Sequence, residues 1–405
     1  MRKLPISRKS LLRNVYNPIS NDRIDQALVT WFPAPASFTG EDCVEIHAHG
    51  GKAVVSAILQ SLSNLPDFRP AEAGDFTKRA FTNGKLDLTQ VEALADLIAA
   101  ETEAQRSLAI RQLGGELGLL YEQWRRDLIE CCAFIEAYID FGEEENLDFD
   151  IKVNDRIKCL SNEIKCHHSE TKNAERIRVG VKVAILGRPN VGKSSLFNRL
   201  VGRERAIVSP YAGTTRDILD AALDINSYAV ILTDTAGLRD DMKIDIVEQE
   251  GIKRAIQTAS EADLKLLVVD ATDGDVPSEI KTDENTIIIW NKVDLLKEPI
   301  VQDGIKLSCK TGNGMDELIE TLSEKVEHLC INPNSPNPIS SNARHSYHCK
   351  LCLESLENYS KLIKQDIVLA ANELQIAINH MSKLTGTITN DDILNVIFSE
   401  FCIGK

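Results

Sequence analysis

Apolar residues follow two rhythms along this 405-residue chain. Short β-branched runs at residues 181–186, 229–232, 286–290 and 305–307 read as strands, the first of them buried. Three longer stretches place apolar residues at three- and four-residue steps, which predicts helices over 89–139, 151–177 and about 341–382. Nearer the start, 24–32 reads as a strand, 43–49 alternates like a half-buried strand, and 53–65 reads as an amphipathic helix after Gly50-Gly51. Residues 69–81 and 83–88 read as loop and short helix. The acidic stretch 141–150 reads as a solvated break between helices, and the Pro- and Asn-rich stretch 332–338 as a linker. The pattern predicts a multidomain α/β and all-α protein. A mostly parallel sheet with helices on both faces (178–330) is inserted between two helical segments (89–177 and 331–405), behind a partial α+β domain (1–88).

The chemistry begins after the first buried run. Gly187-Arg-Pro-Asn-Val-Gly-Lys-Ser194 has the form G-x-x-x-x-G-K-S, between a strand and the helix expected from Ser195. The glycines let successive N–H groups turn toward one anion, and the helix directs its positive end at the same place. Lys193 is placed to reach the terminal phosphates, and Ser194 offers a hydroxyl to Mg²⁺. Asp234-Thr-Ala-Gly237 supplies a carboxylate for Mg²⁺ and an N–H for the last phosphate. Asn291-Lys-Val-Asp294 follows another strand; the Asp294 carboxylate matches the two N–H donors of the guanine edge, which adenine lacks. Ser308-Cys-Lys310 closes the base pocket. Thr214 and Thr215, in Gly213-Thr-Thr-Arg-Asp217, sit where a switch threonine completes the Mg²⁺ shell. The expected nucleotide contacts are therefore Gly187, Asn190, Val191, Gly192, Lys193, Ser194, Ser195, Ser209, Thr214, Thr215, Asp234, Thr235, Ala236, Gly237, Asn291, Lys292, Asp294, Ser308, Cys309 and Lys310, with Mg²⁺ on Ser194, Thr215 and Asp234. These elements, in this order, resemble the translation-factor branch of P-loop GTPases. Where many signalling GTPases carry a water-orienting Gln, this chain has Leu238, so another group must position the water.

Composition narrows the partners. Lys and Arg number 46 against 61 Asp and Glu, a net charge of -15, so any RNA contact must be local or come from a partner. Ten cysteines without an evident secretory signal suggest reduced thiols, and no apolar run is long enough to cross a membrane. Residues 1–23 are basic and carry Ser7 and Ser10; a mitochondrial transit peptide, and on the other side a basic surface strand or an incomplete N-terminus, are compatible with that composition. His47 and His49 lie on one strand face and read as a packed or hydrogen-bonded pair ahead of a metal site. His345, His348, Cys349 and Cys352 imitate a metal cluster, but their spacing spreads them over neighbouring helix faces.

Over nearly its whole length the chain resembles the MnmE (TrmE) family of tRNA-modification GTPases. The carriers are Ser37-Phe-Thr-Gly-Glu-Asp42, His49-Gly-Gly51, Gly84-Lys-Leu-Asp-Leu88, Asp140-Phe-Gly-Glu143, the GTPase motifs and the terminal Phe401-Cys-Ile-Gly-Lys405. Ala100-Glu-Thr-Glu-Ala-Gln-Arg106 resembles the mitochondrial, eukaryotic branch, which implies the mitochondrial matrix, or the cytoplasm in a bacterium.

The resemblance implies GTP hydrolysis promoted by K⁺ and by pairing of two GTPase domains. It also implies a homodimer, and a FAD-binding MnmG (GidA) flavoprotein as partner in modifying C5 of the wobble uridine of tRNA. K⁺ falls by motif position on Asn190 and the carbonyls of Ser209, Tyr211 and Thr214. Glu248 falls at the water-orienting position, with Glu250 as its rival; Lys193 and Thr215 complete the catalytic set. Contacts to 5-formyl-tetrahydrofolate fall on Glu45, Lys85 and Lys405, although the family's Gly-rich opening strand and turn are missing, which implies impaired folate binding or a shortened product. Cys402 is either a redox or substrate contact or a buried structural thiol. Two other functions fit the motifs: a regulatory or ribosome-assembly GTPase, and a folate-dependent one-carbon transferase with an accessory GTPase. The terminal Cys-Ile-Gly-Lys and the lack of a KH-type G-x-x-G loop argue against the regulatory reading.

Overall fold

The computed structural model describes residues 5–141, 149–207, 220–234, 260–273, 275–276, 282–296, 298, 301–330, 342–387, 394, 397–399 and 401. The chain divides into two compact units, Met1–Ala95 with Ser382–Lys405, and Asp96–Met381.

The first unit opens with an antiparallel sheet of β1 (Leu11–Tyr16), β2 (Arg23–Phe32) and β3 (Cys43–His47), in that order. Leu12 lies opposite Leu28, and Leu28 opposite His47. Within residues 1–23, Leu11–Tyr16 forms a strand that pairs along β2, and the Ser10 and Thr30 hydroxyls bond at 2.8 Å. Helices follow at Lys52–Ser63 and Asp75–Thr82. The start of the helix Leu88–Ala99 buries Leu88 and Val91 against Leu394, Phe398 and Phe401, so the chain's last residues complete this unit's core.

The second unit contains a seven-stranded sheet ordered β10-β9-β8-β4-β7-β6-β5. Its strands are β4 (Val181–Leu186), β5 (Arg205–Ala206), β6 (Asp220–Ile225), β7 (Tyr228–Asp234), β8 (Leu264–Asp270), β9 (Thr286–Asn291) and β10 (Ile305–Lys306). From β10 to β7 all pairings are parallel; β6 and β5 are antiparallel. Val183, Ile185, Leu266, Val268 and Ile289 face a core shared with Leu196 and Leu200 of the helix Lys193–Arg203 and with Leu318 and Leu322 of the helix Met315–Leu329. The opposite face buries Ala184, Leu186, Leu267, Val269 and Trp290. Burial on both faces is why these strands read as near-continuous apolar runs, interrupted only by residues such as Lys182 and Lys265.

The stretch predicted helical over 89–139 is three helices: Leu88–Ala99, Glu103–Leu113 and Glu116–Phe141. Thr102 starts the second by a capping box with Gln105, and Gly114-Gly115 separate the second from the third. The helix Phe149–Val179 then runs directly into β4. It packs beside Ala343–Leu362, where the Tyr359 hydroxyl donates to Asn154 Oδ1 at 2.8 Å across 205 residues of sequence. In Ile367–Thr385, Gln375 donates to Glu136 Oε1 at 2.9 Å. Arg176, three residues before the helix ends, donates to Asp263 at 2.8 Å and to the Leu329 carbonyl at 3.2 Å. The points where the chain enters and leaves the sheet region are thereby held together.

Candidate nucleotide site

Five polar residues are buried where parallel strands end. Asp234, Asp270 and Asn291 are the last residues of β7, β8 and β9; Lys193 follows the loop after β4, and Ser308 follows β10. Parallel strands put all five carboxyl ends on one edge of the sheet, where α/β folds bind ligands.

The phosphate loop leaves β4 at Gly187 and turns through Asn190 at φ +63° into Gly192 at φ +103°. The Gly192 backbone allows no side chain: a Cβ there would lie 2.2 Å from Asn291 Nδ2. The helix starts at Lys193, two residues before the predicted start, so Ser194 and Ser195 lie in its first turn with their N–H groups at the positive end. Lys193 is 8 % exposed, and its ammonium donates to the carbonyls of Gly187 at 3.0 Å and Arg188 at 2.9 Å. Those bonds hold the charge over the loop. A triphosphate fits this donor set: backbone N–H groups, one ammonium, and the hard oxygens of Ser194 and Asp234 for a Mg²⁺ ion.

Asn291 ties the two halves of the site. Its Nδ2 donates to the Val191 carbonyl in the phosphate loop at 2.7 Å, and its Oδ1 accepts the Cys309 N–H at 3.0 Å. Ser308, fully buried, donates through Oγ to Asp294 Oδ1 at 2.6 Å and accepts the Thr311 N–H at 3.2 Å. One Asp294 oxygen is thus fixed by the protein, on a one-turn 3₁₀ segment (Val293–Leu295) that Lys292 enters at φ +66°.

Two contributors escaped sequence reasoning. Asp270 takes Lys292 Nζ at 2.6 Å on one oxygen and the Thr272 N–H and hydroxyl, at 3.0 and 2.7 Å, on the other. Burial, the largest influence, pushes the Asp270 carboxyl up, but the bonds from Lys292 and Thr272 together outweigh it and hold it below its ordinary value. Arg199 donates to the Cys309 and Lys310 carbonyls. The only available signal for Asp270 was its place at the end of an apolar run; nothing local marked Arg199.

Ser209, Tyr211, Thr214, Thr215, Thr235, Ala236, Gly237, Glu248 and its rival Glu250, Cys402 and Lys405 lie outside the described residues. Glu45 is exposed on β3, its carboxylate 3.4 Å from His47; Lys85 is exposed and donates its backbone N–H to Ala80. No hydrogen bond or ion pair joins these two residues. His49 bonds Asp25 at 2.8 Å, so the two histidines have separate partners. His345 and His348 are buried, the first edge-on to Tyr121, the second 3.2 Å from His380 Nδ1. Burial pushes the Cys349 thiol up to about 12 and the Cys352 thiol further in the same direction, so both remain protonated core residues. Among the described residues no three His, Cys, Asp or Glu side chains are grouped as a metal site, and no helix is long and apolar enough to cross a membrane.

Comparison with known proteins completes the picture. A sequence profile of the MnmE helical domain matches residues 88–402, and one of the GTP-binding protein TrmE N-terminus matches residues 1–85. The chain is 44 % identical over 428 residues to the mitochondrial 5-taurinomethyluridine-[tRNA] synthase subunit GTPB3 of Homo sapiens, covering 100 % of this chain and 86 % of that protein. It is 45 % identical over 409 residues to the tRNA modification GTPase MnmE of Parvibaculum lavamentivorans, covering 100 % of this chain and 92 % of that protein. Among solved structures, the G domain of the T. maritima FeoB iron transporter matches at 28 % identity over 36 % of this chain and 99 % of that one, with a TM-score of 0.27.

Proposed function

The chain belongs to the MnmE (TrmE) family of tRNA-modification GTPases, and from that premise we propose how its residues divide the work. It is a GTP hydrolase of tRNA modification, and its product is a C5-modified wobble uridine made together with a FAD-binding flavoprotein of the MnmG type. We place it in mitochondria, as the relatives so named are. One observation carries the nucleotide assignment: Asn291 bonds the phosphate loop and the base loop at once, while Ser308 fixes the Asp294 carboxylate. The free Asp294 oxygen and the fixed one together suit the paired N–H donors of guanine.

Lys193 holds positive charge over the phosphates, and the first-turn N–H groups of Ser194 and Ser195 bind phosphate oxygens. Ser194 and Asp234 would hold Mg²⁺, with Thr215 as a further ligand; bound there, the ion would supply positive charge against the phosphates. The Cys309 N–H, which donates to Asn291 Oδ1, would be shared with the 6-oxygen of guanine, and the Lys292 stem would lie along the ring. Because Leu238 has no polar group to orient water, Glu248 takes that role. Asn190, at a left-handed turn within the phosphate loop, and the carbonyls of Ser209, Tyr211 and Thr214 would supply the oxygens for K⁺, brought together by pairing of two GTPase domains. Arg176 bonding both Asp263 and the Leu329 carbonyl supports an inserted GTPase domain whose flanking helices form one bundle. Glu45, Lys85 and Lys405 are proposed for the folate, with Cys402 near the modification chemistry.

The test is twofold. Hydrolysis by the full chain should be much faster in K⁺ than in Na⁺ and should rise with protein concentration. Cells lacking the protein should show unmodified wobble uridines by mass spectrometry, restored by the wild-type chain and not by Lys193→Ala. Normal uridines in those cells would leave a regulatory GTPase as the reading.

A further inference from the structure

We propose that Arg199 is a positioning residue for guanine recognition, acting through the base loop 308–312. This rests on reading Ser308–Lys310 as the base loop. Arg199 sits on the helix Lys193–Arg203, six residues past the phosphate-loop lysine, with its side chain at the surface. Its Nε donates to the Cys309 carbonyl at 2.6 Å and its Nη2 to the Lys310 carbonyl at 2.7 Å. A planar guanidinium grips two successive carbonyls at once, which a single ammonium does not reproduce. Gly312 completes the fit: its backbone is at φ +90°, and a Cβ there would lie 2.9 Å from Arg199 Nη1.

The result is a closed ring. The phosphate loop reaches Asn291 through the Val191 carbonyl, Asn291 holds the Cys309 N–H, and Arg199 returns from the Cys309 carbonyl to the helix that the phosphate loop begins. Ser308 and Asn291 fix the side of the loop facing the base, and Arg199 fixes the opposite, carbonyl side. A peptide held from both sides keeps the direction of its N–H. Arg199 therefore sets the direction of the Cys309 N–H, which donates to Asn291 Oδ1 and would be shared, as a three-centre bond, with the 6-oxygen of a bound guanine. The same helix makes a second tie, Arg203 to Asp316, which reaches only the exposed start of the helix Met315–Leu329. That exposed pair serves as the internal control.

The experiment measures dissociation of fluorescently labelled GDP from the full chain by displacement with excess nucleotide. It is repeated with the 2-aminopurine nucleotide, which keeps the 2-amino group and lacks the 6-oxygen together with the N1–H, so that any effect carried through the 6-oxygen disappears. Arg199→Ala should speed GDP release about tenfold and change release of the 2-aminopurine nucleotide far less. Arg199→Lys, which keeps the charge and loses the fork, should behave like Arg199→Ala, whereas Arg203→Ala should match the wild type. Unchanged GDP release in Arg199→Ala, full rescue by lysine, or equal acceleration for both bases would each overturn the proposal. Asp294→Asn in the same assay separates the two layers. If it shifts preference to xanthosine nucleotides while Arg199→Ala does nothing, only the role of Arg199 falls; if it leaves preference unchanged, the base-site reading itself falls.

Discussion

The sheet edge and the helical bundle both bury polar side chains, and they do so to different ends. At the edge, Lys193, Asp234, Asp270, Asn291 and Ser308 all lie where a parallel strand ends. Lys193 and Asn291 bond loop backbone, Asp270 bonds Lys292 and Thr272, and Ser308 bonds Asp294, so the loops around one edge of the sheet are tied to the strand ends. In the bundle, Tyr121, His167, His345 and His348 sit within helices, away from any strand end. There the Tyr121 hydroxyl and His167 Nε2 are 3.0 Å apart, and Tyr121 meets both His167 and His345 edge-on. Such groups satisfy each other inside a core and specify how helices pack. Burial of a polar residue is therefore not by itself a sign of function; its place relative to the strand ends is.

If that division holds, edge substitutions should damage chemistry and bundle substitutions should damage stability. The largest effect is expected at Lys193→Ala: turnover of GTP should fall roughly 10²–10³-fold with the unfolding midpoint nearly unchanged. A variant retaining near-normal turnover would remove Lys193 from the phosphates. Next is Asp294→Asn. An amide presents a donor to a donor, so GTP affinity should fall by about 1.5–3 kcal/mol and xanthosine nucleotides should bind better, as titration calorimetry would show. Tyr121→Phe, which removes the hydroxyl facing His167, should cost about 1 kcal/mol in urea unfolding and leave GTP hydrolysis alone. A loss of hydrolysis in that variant at unchanged stability would blur the comparison.

The smallest expected effect is a pH dependence. The Asp270 carboxyl is held below its ordinary value of 3.8, net of a burial effect in the other direction. A depressed carboxyl stabilises the fold above its unfolded value and stops doing so as pH falls through the folded one. Wild type should exceed Asp270→Asn in stability at neutral pH. The two should converge only in acid below 3.8, in unfolding curves collected across that range.

Much of the site was legible because phosphate loops are local. Gly187 to Ser194 puts the strand end, the turn and the helix start in eight consecutive residues, and the turn itself requires glycine at 192. The runs ending at Leu232, Trp290 and Leu307 stop just short of Asp234, Asn291 and Ser308, and so pointed to the residues that stand at the edge. Helix breaks were harder: 89–139 looked continuous because apolar spacing survives a capped restart at Thr102. Strand β1 was ambiguous because an edge strand with exposed basic residues has the same composition as a targeting segment.

The sequence by itself determined the order of the GTPase motifs, the class of nucleotide, and the family, since each rests on short-range chemistry. The tertiary structure alone decided which partners those residues have. Asp270 meets Lys292 across 22 residues and Arg199 meets Lys310 across 111. The last residues of the chain supply Phe398 and Phe401 to a core begun by Leu88 and Val91. Pairings of that length leave no periodicity and no spacing to read, because only the closing of the sheet and the bundle brings the two ends together.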